Sequence, residues 1–217
     1  QKLLVNAGIS LNQQLYEFKS LLIMNQPLSN RKIQSPISPR FTLNYSLTTN
    51  LNLYGIIARG FSAPSLAEIR PSDGNFYPQL NAEQGWNTEI GIKGSLFNDQ
   101  ILLDLSFYSF QLKNAIVRRA DVNGNEYFIN AGATNQNGLE AMIKYILIKD
   151  SKGKKYNIDF TNSFSFQPYR FIDYQQAGAV FNGNPITGVP KYMWVSTFNF
   201  AHKNGWAFNI TANLTSK

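Results

Sequence analysis

The sequence predicts an all-β protein, in the form of an antiparallel up-and-down β-barrel wall that crosses a membrane. Three observations predict this fold. Apolar and polar residues alternate with a period of two, several predicted strands are unusually long, and short turns alternate with long connections along the 217 residues. Helical periodicity is almost absent. We therefore expect about nine strands, each paired with its neighbour along the chain.

The alternation can be followed strand by strand. Residues 41–48 place Phe41, Leu43, Tyr45 and Leu47 on one face of a pleated strand and Thr, Asn and Ser on the other. The same pattern predicts strands at 86–96, 101–107, 156–167 and 206–214. One face of the predicted sheet is thus apolar, and the other is polar with few charges.

The connections fall into two classes. Short Asn-, Asp- or Gly-containing links are predicted at Thr49-Asn50, Asn98-Asp99, 150–154 and 203–205. Longer links are predicted at 19–34, 62–85 and 172–185, and a hairpin tip at 121–125 ends two extended arms. Alternating short and long links indicate a tall wall with turns at one rim and loops at the other.

Two environments produce such alternation. In a soluble sandwich the apolar face is the core, whereas in a membrane barrel it meets lipid and the polar face meets the lumen. The long strands and links favour the barrel. So do aromatic residues near predicted strand ends, which suggest interfacial girdles: Tyr16, Phe18, Trp86, Tyr169, Phe171, Tyr192, Trp194 and Trp206. The soluble alternative is an all-β binding or adhesion module that recognises a glycan or protein through aromatic loops.

Composition excludes several classes of protein. No Cys is present, so disulfides and thiolate metal sites are excluded. No apolar run is long enough for a membrane helix, and the first ten residues lack a signal-peptide pattern, so we expect a mature form or a fragment. The formal charge is +7, but the basic residues are dispersed apart from a predicted turn at 149–155, so we expect no nucleic-acid partner.

The sequence does not predict an enzyme. The carboxylates are scattered, and the single histidine, His202, lies in a predicted turn without a Ser/His/Asp arrangement. The glycines at 178 and 183 lack the Lys and Ser/Thr of a phosphate-binding loop. We therefore expect no catalytic residues, no cofactor and no metal site.

Residues 54–69 carry a more specific signal. The string YGIIARGFSAPSLAEI resembles the barrel signature of TonB-dependent outer-membrane receptors, in which a strand ends in Arg-Gly-Phe and the loop opens with Ala-Pro-Ser-Leu and an acid. EIGIKG at 89–94, AIV at 115–117, NAG at 130–132 and GLE at 138–140 follow in the order of that family. The resemblance covers residues 35–148. Beyond them the sequence matches the general pattern of the family more than its motifs.

The resemblance implies a 22-stranded barrel in the outer membrane of a Gram-negative bacterium. It implies a receptor that imports a nutrient such as a ferric siderophore through a plugged lumen, with outer-membrane lipid around it and a TonB-type periplasmic protein supplying energy. The chain departs from this pattern, because it shows no plug domain, no TonB box and no terminal aromatic residue. We therefore expect residues 1–217 to be part of the barrel wall of a longer polypeptide.

We expect mainly structural roles for the residues that match the family. Arg59, Gly60, Phe61, Pro64 and Glu68 mark the end of a strand, with a positioning ion pair between Arg59 and Glu68. A second set lies on the wall and behind its next loop: Glu89, Gly91, Asn130, Gly132 and Glu140. We expect Glu89 with Lys93, and Glu140 with Lys144, to neutralise each other on the polar face.

Ligand recognition is expected on the long loops, since barrels place recognition on the rim and stability in the wall. Arginine and tyrosine suit anionic chelates through charge-assisted hydrogen bonds and stacking. The candidate ligand-binding residues are Arg70, Phe76, Tyr77, Tyr169, Arg170 and Tyr174.

Overall fold

The computed structural model describes residues 2–19, 27–34, 37–72, 74–148, 155–176 and 178–217. The predicted turn at 150–154, most of the basic turn at 149–155 and residues 20–26 of the predicted 19–34 link lie outside these ranges. The elements are, in order, β1 (Leu3–Ser10), β2 (Gln13–Phe18), β3 (Ser29–Gln34), β4 (Ser38–Ser46), β5 (Leu51–Ser62), α1 (Leu66–Ile69), β6 (Glu83–Leu96), β7 (Ile101–Lys113), β8 (Ile116–Ala120), β9 (Glu126–Asn130), β10 (Ala133–Ile148), β11 (Tyr156–Phe166), β12 (Arg170–Asp173), β13 (Gln175–Gln176), β14 (Ala179–Val180), β15 (Tyr192–His202) and β16 (Ala207–Thr215).

One large antiparallel sheet forms the wall. Within the described ranges, nine strands follow one another in the order β1, β4, β5, β6, β7, β10, β11, β15 and β16, and β12 pairs with the beginning of β10. Three two-stranded ribbons, β2–β3, β8–β9 and β13–β14, stand outside it. Over the described residues, the first and last strands of this path, β1 and β16, do not pair with each other. The all-β fold and the antiparallel barrel segment predicted from the alternation are confirmed.

The two faces of the wall differ as predicted. On β10, the outward positions Leu139, Ala141, Ile143, Tyr145 and Leu147 are all apolar. Eight residue steps of about 3.4 Å, on a strand tilted by about 40°, give an apolar height of roughly 20 Å, close to the ~25 Å band of an outer-membrane barrel. The outward face is therefore suited to hydrocarbon.

The polar face is the concave one. Residues from β5 to β16 line a shared groove of about 590 Å³, and most of them are polar, including Tyr54, Glu89, Ser106, Glu140 and Asn213. We call this concave surface the lumenal face. Since outward and lumenal positions alternate along every strand, a single register fixes both surfaces.

The wall has no second layer in the described ranges. The buried hydrophobic side chains there are Ile33, Ile69 and Leu80, and all three lie among the long loops. Wall residues such as Phe107 and Ile90 are 61% and 56% exposed. A soluble sandwich needs this face buried against another sheet, so the structure does not support the soluble alternative.

The aromatic girdle is only partly as predicted. Trp86, Tyr192 and Trp194 are exposed at the loop end of wall strands, and Trp206 lies at the turn end, 76% exposed. Tyr16 and Phe18, in contrast, lie on β2 and pack among the loops, so their assignment to a wall girdle was wrong. The segment around them forms a separate hairpin because residues 29–34 pair back onto β2.

Short turns join the wall strands at one rim. Residues 97–100 form one of them, with Phe97, Asn98 and Asp99 all in the left-handed region. The other rim carries four long connections, whose described residues are 11–19 with 27–34 and 37, 63–72 with 74–82, 114–132, and 167–176 with 178–191. We call the two edges the turn rim and the loop rim. Within the described residues, no helix is long and apolar enough to cross a membrane.

Candidate ligand-binding rim and lumenal groove

The first part of the loop rim joins the β2–β3 hairpin to the segment after β5. The Tyr16 hydroxyl donates to the carbonyl oxygen of Pro64. Burial, and then the nearby Glu68 carboxylate, raise the pKa of Tyr16. The Arg70 guanidinium carbon lies 4.3 Å from the centroid of the Phe18 ring, which stacks on Phe76 at 6.3 Å. Two predicted ligand residues, Arg70 and Phe76, are thus brought to one aromatic cluster.

A short helix supports this cluster. The Ser65 hydroxyl accepts from the Glu68 amide at 3.3 Å, and the Glu68 carboxylate accepts from the Ser65 amide at 2.6 Å. This capping box satisfies amides at the start of α1 and fixes the direction of the chain after Pro64. Glu68 is therefore a helix-capping residue, and the sequence Ser65-x-x-Glu68 is the signal that could have predicted it.

The second part of the rim is the β8–β9 hairpin, which packs on the previous loop. Tyr77 stacks on Tyr127 with centroids 6.3 Å apart, and the Glu126 amide donates to the Ser72 hydroxyl at 3.1 Å. These contacts come from residues about 50 positions apart in sequence, so they depend on the wall bringing the two loops to the same edge.

Asn130 ties the same two loops together through its side-chain amide. Its Oδ1 accepts from the Asn81 amide at 2.7 Å, and its Nδ2 donates to the carbonyls of Asn81 and Asn114, both at 2.8 Å. Gly132 follows with φ of +94°, and a Cβ there would collide with the Asp173 carbonyl. In the NAG motif, Asn130 thus connects the two loops, and Gly132 allows the backbone to lie close to the Asp173 carbonyl.

The third part of the rim is a pairing of Arg119 with Tyr174. The Arg119 guanidinium donates to the Tyr174 hydroxyl at 3.0 Å and lies 5.2 Å from its ring centroid. Phe171 stacks on the same ring at 4.5 Å. Next to this pair is an open cleft of about 610 Å³, lined by Arg118, Arg119, Ala120, Gly124, Glu126, Tyr127 and Gln176.

Sequence reasoning missed Arg118, Arg119 and Tyr127. The sequence predicted a hairpin tip at 121–125, but no function was predicted for the two strands that lead to it. Arg118 and Arg119 are adjacent on β8 and both line the cleft, but they make different contacts. Arg118 pairs with Glu126 across the hairpin at 2.6 Å, and Arg119 reaches Tyr174. Two successive arginines beside a predicted tip were the available signal.

Tyr169 and Arg170 make different contacts. The Tyr169 hydroxyl is hydrogen-bonded to the hydroxyl of Tyr108 at 2.5 Å on the lumenal face. Arg170 pairs in register with Asn135, an outward position, and donates to the Gly183 carbonyl at 2.5 Å. Arg170 and Tyr169 line one depression of about 200 Å³, apart from the cleft beside Arg119 and Tyr174.

The lumenal groove contains the wall carboxylates. The Tyr54 hydroxyl donates to Glu89 at 2.7 Å, and Glu140 is exposed in the same groove. Lys93 pairs with Asp104 at 2.7 Å and Lys144 with Asp159 at 3.0 Å. The expected pairs Glu89–Lys93 and Glu140–Lys144 were wrong, because each lysine reaches an aspartate on the adjacent strand rather than a glutamate four residues away.

The Arg59–Glu68 ion pair is also wrong. Arg59 projects outward, lies 6.0 Å from the ring of Trp86 and donates to Gln84 at 2.8 Å, and no salt bridge joins it to Glu68 in the described ranges. The strand continues through Gly60 and Phe61 to Ser62, and Pro64 is buried where the chain leaves the sheet. These motif residues position the loop rim.

Among the described residues, no group of three His, Cys, Asp or Glu side chains could hold a metal ion. His202 uses its Nδ1 to accept from the Asn204 amide at 3.2 Å, a turn contact. What the rim provides is cations, phenols and stacked rings around open space.

Comparisons with known proteins agree with this geometry. A family model described as "TonB dependent receptor-like, beta-barrel" matches residues 2–216, which confirms the resemblance found at 54–69. Among solved structures, the copper transporter OprC superposes with a TM-score of 0.70 at 10% identity, covering 99% of this chain and 33% of its own.

Two iron receptors show the same fold. The ferric-catecholate import receptor Fiu from K12 E. coli has a TM-score of 0.65 at 12% identity, with 100% of this chain and 33% of Fiu covered. The ferric yersiniabactin uptake receptor FyuA from Yersinia pestis has a TM-score of 0.63 at 16% identity, with 99% and 32% covered. This chain thus spans about a third of the length of these proteins. Because the family model extends from the second residue to the last but one, the chain belongs to the TonB-dependent receptor family, as a segment of its β-barrel.

Proposed function

We propose that this segment forms part of the wall of an outer-membrane receptor of a Gram-negative bacterium. The receptor binds a nutrient such as a ferric siderophore at its loop rim and admits it through a plugged lumen. One observation carries this proposal: the loops hold Arg119 and Tyr174 together beside an open cleft of about 610 Å³. The loop rim faces the outside of the cell, where such a nutrient arrives.

The charge of Arg119 is available to an anionic chelate. Its hydrogen bonds go to the Tyr174 hydroxyl and to the carbonyls of Arg118 and Gln175, and no salt bridge in the described ranges includes it. A catecholate or carboxylate oxygen would accept from the guanidinium more strongly than these neutral oxygens do. Tyr127 and Gln176 line the same cleft and add a phenol and an amide.

The predicted ligand residues lie at two different distances from this cleft. Tyr174 contacts Arg119 directly, and Tyr77 stacks on Tyr127 at the other side of the hairpin. Arg70 and Phe76 lie one loop further away, and Tyr169 lies at the top of the lumenal face. We propose that these five residues, with Arg119 and Tyr127, form the recognition surface.

The lumenal face would meet the plug of the complete receptor. Glu89, Glu140 and the two Lys–Asp pairs give it charged and polar groups, beside apolar side chains such as Met142, Met193 and Val195. A TonB-type periplasmic protein would supply the energy for plug movement through the part of the receptor that this chain does not contain. The mechanism is selective binding and gating, with no covalent step, no cofactor and no catalysis.

Growth on defined iron sources tests the proposal. The full-length receptor is expressed in a host without ferric-chelate receptors, and a ferric tricatecholate, a ferric hydroxamate and ferric citrate are each supplied as the iron source. We expect one of them to support growth and to bind the purified receptor. Arg119→Gln should weaken that binding by about ten-fold or more, because it removes a charge-assisted hydrogen bond.

Lys32→Gln is the matched control. Lys32 lies exposed on β3 of the β2–β3 hairpin, so this variant removes one charge from the same rim without touching the cleft. Equal weakening in both variants would indicate general rim electrostatics rather than a site. Failure of all three chelates to bind the folded receptor would contradict the proposed substrate class.

A further inference from the structure

Two neighbouring strands of the wall carry a polar side chain at the centre of their outward face. On β11 the five outward positions run from Ile158 to Phe166, and Asn162 is the middle one. On β15 they run from Tyr192 to Phe200, and Ser196 is the middle one. Asn162 and Ser196 are register partners, so they form one polar pair. The other outward positions of the two strands are aliphatic or aromatic: Ile158, Phe160, Phe164, Phe166, Tyr192, Trp194, Phe198 and Phe200.

The pair lies deep within the apolar band. Asn162 pairs in register with Ile143, the middle one of the five apolar outward positions of β10. Four residue steps separate Asn162 from Ile158 or Phe166, which is about 14 Å along the strand. On a strand tilted by about 40°, this distance gives roughly 10 Å of depth on each side. Water and lipid headgroups therefore do not reach the pair, and hydrocarbon offers it no hydrogen-bond acceptor.

The hydrogen bonds of the pair leave its amide donors unused. The Asn162 Oδ1 accepts from the Ser196 hydroxyl at 2.7 Å and from the Trp194 indole at 3.3 Å. Because an indole N–H only donates, the second contact identifies the oxygen end of the amide. In the described part of the chain, the Asn162 Nδ2 is not buried and donates to no protein acceptor, and the Ser196 hydroxyl oxygen accepts from no protein donor. Two N–H groups and one hydroxyl oxygen are therefore available on the outward face.

The surface beside the pair is indented. Ser196 pairs in register with Ala212 on β16, so two small side chains are neighbours across the sheet. Large side chains border them toward both rims: Trp194, Leu214, Phe198 and Ile210. A depression of about 210 Å³ lies here, lined by Trp194, Ser196, Ala212, Asn213 and Leu214. Small residues let two membrane-embedded surfaces approach closely, and polar residues form hydrogen bonds across such contacts.

We propose that two copies of the receptor contact each other in the membrane through this surface, which we call the Asn162–Ser196 notch. The notch is self-complementary, because it holds both an unused donor and an unused acceptor. In a two-fold contact, the Asn162 Nδ2 of each copy donates to the Ser196 hydroxyl of the other, so the same hydrogen bond forms twice. This inference goes beyond the proposed function and shares with it only the membrane placement of the wall.

A second copy fits the notch better than another membrane partner does. A membrane helix satisfies its backbone groups internally, so it would need a polar side chain at this one depth. A second receptor inserts in the same direction and therefore carries Asn162 and Ser196 at the same depth. A two-fold axis along the membrane normal then brings the two notches face to face.

Self-association of the full-length receptor in lipid tests the notch. The receptor, labelled at its amino terminus, is reconstituted into phosphatidylcholine vesicles over a range of protein-to-lipid ratios, and photobleaching steps per particle are counted. We expect one step at the lowest ratios and two steps as the ratio rises. Asn162→Leu should raise the dimer dissociation constant by about ten-fold, or about three-fold for each of the two reciprocal hydrogen bonds.

Asn137→Leu is the matched control. Asn137 is an exposed outward asparagine of β10, but it lies six residues from Ile143, about 20 Å along the strand and beyond the apolar band. The control should dimerise as the unmodified receptor does, and an equal loss in both variants would overturn the proposal.

Ser196→Ala is the second variant. It removes the acceptor from both copies and should weaken the dimer to a similar extent as Asn162→Leu. A Ser196→Ala receptor that dimerises normally would overturn the proposed hydrogen bonds, even if Asn162→Leu did not fold.

Two further measurements separate this inference from the proposed function. Quenching of the outward tryptophans by lipid-borne quenchers reports whether the wall faces hydrocarbon, and its absence would overturn the placement on which both proposals depend. An inserted receptor that stays monomeric at every ratio, or that shows three steps, would overturn the notch contact alone. An inserted receptor that dimerises but binds none of the three chelates would contradict the proposed function alone.

Discussion

The ring of Tyr54 occupies the space that a side chain at Gly91 would need. The two residues are register partners on β5 and β6, and a Cβ built on Gly91 would lie 2.5 Å from the phenol oxygen and ring of Tyr54. The Tyr54 hydroxyl then reaches Glu89, two residues along the same strand as Gly91. Tyr108 covers Gly138 in the same way on β10. Glycine lets each ring lie flat against the lumenal face.

Gly91→Ala should therefore destabilise the wall. The added methyl must displace the Tyr54 ring and disturb its hydrogen bond to Glu89, which we expect to lower the free energy of unfolding by about 1–3 kcal/mol. Urea unfolding of the full-length receptor in lipid measures this. Gly55→Ala is the control, because the nearest atom to its Cβ would be the Glu89 carbonyl at 3.9 Å. In a Tyr54→Ala background the cost of Gly91→Ala should almost disappear.

Leu105→Arg tests which face meets lipid. Leu105 is outward and 36% exposed in the middle of the apolar band, so an arginine there should cost about 2–4 kcal/mol in a lipid-folded barrel. Ser163→Arg is the lumenal comparison, since Ser163 is exposed and lines the groove. The adjacent Ser106 would be a poor comparison because it is only 8% exposed. Equal unfolding free energies for the two arginine variants would contradict the assignment of the faces.

Asn130→Asp should loosen the loop rim. A carboxylate can still accept from the Asn81 amide, but it cannot donate to the carbonyls of Asn81 and Asn114. We expect faster hydrogen exchange in segments 63–82 and 114–132, by about ten-fold, while the wall strands keep their protection. Unchanged exchange in both loops would show that Asn130 does not hold them together.

The tip of the β8–β9 hairpin should depend on acid pH. The side chain and amide of Asn125 donate to the Asp121 carboxylate, with a further bond from the Asn123 amide, and these bonds lower the pKa of Asp121 below its ordinary value of 3.8. The unfolded chain therefore takes up the proton first as pH falls. The stabilisation is complete above the ordinary value and is lost as pH falls through the lower, folded one.

Hydrogen exchange of segment 118–130, corrected for intrinsic rates, measures this effect. Protection should fall as the pH is lowered from 5 to 3 in the unmodified receptor. Asp121→Asn should show little change over the same range, because its side chain does not titrate. A pH dependence that persists in this variant would assign the effect to another group.

The wall could be predicted from the sequence because alternation in β6 and β7 is a local property. Each residue reports its face through its immediate neighbours, and lipid on one side and polar lumen on the other keep the pattern strict. The loop rim could not be predicted in the same way. Tyr16 meets Pro64, and Tyr77 meets Tyr127, only after the wall has brought distant segments together.

The wrong ion pairs have the same cause. Glu89 and Lys93 are close in sequence and share a face, yet Lys93 is directly opposite Asp104 on the next strand. Cross-strand partners lie nearer than residues four apart on one strand, where the spacing is about 14 Å. Register between strands, rather than spacing within one, decides which charges meet.

The buried side chains of Ile33, Ile69 and Leu80 lie among the loops, so the loop rim and the wall are stabilised in different ways. The loop rim is stabilised by hydrophobic burial, as a small water-soluble domain is, whereas the wall depends on the lipid around it. Changing the lipid should therefore alter the resistance of the wall to denaturant but hardly affect that of the loop rim. A denaturant that weakens hydrophobic contacts should unfold the loop rim at a concentration at which the wall is still folded.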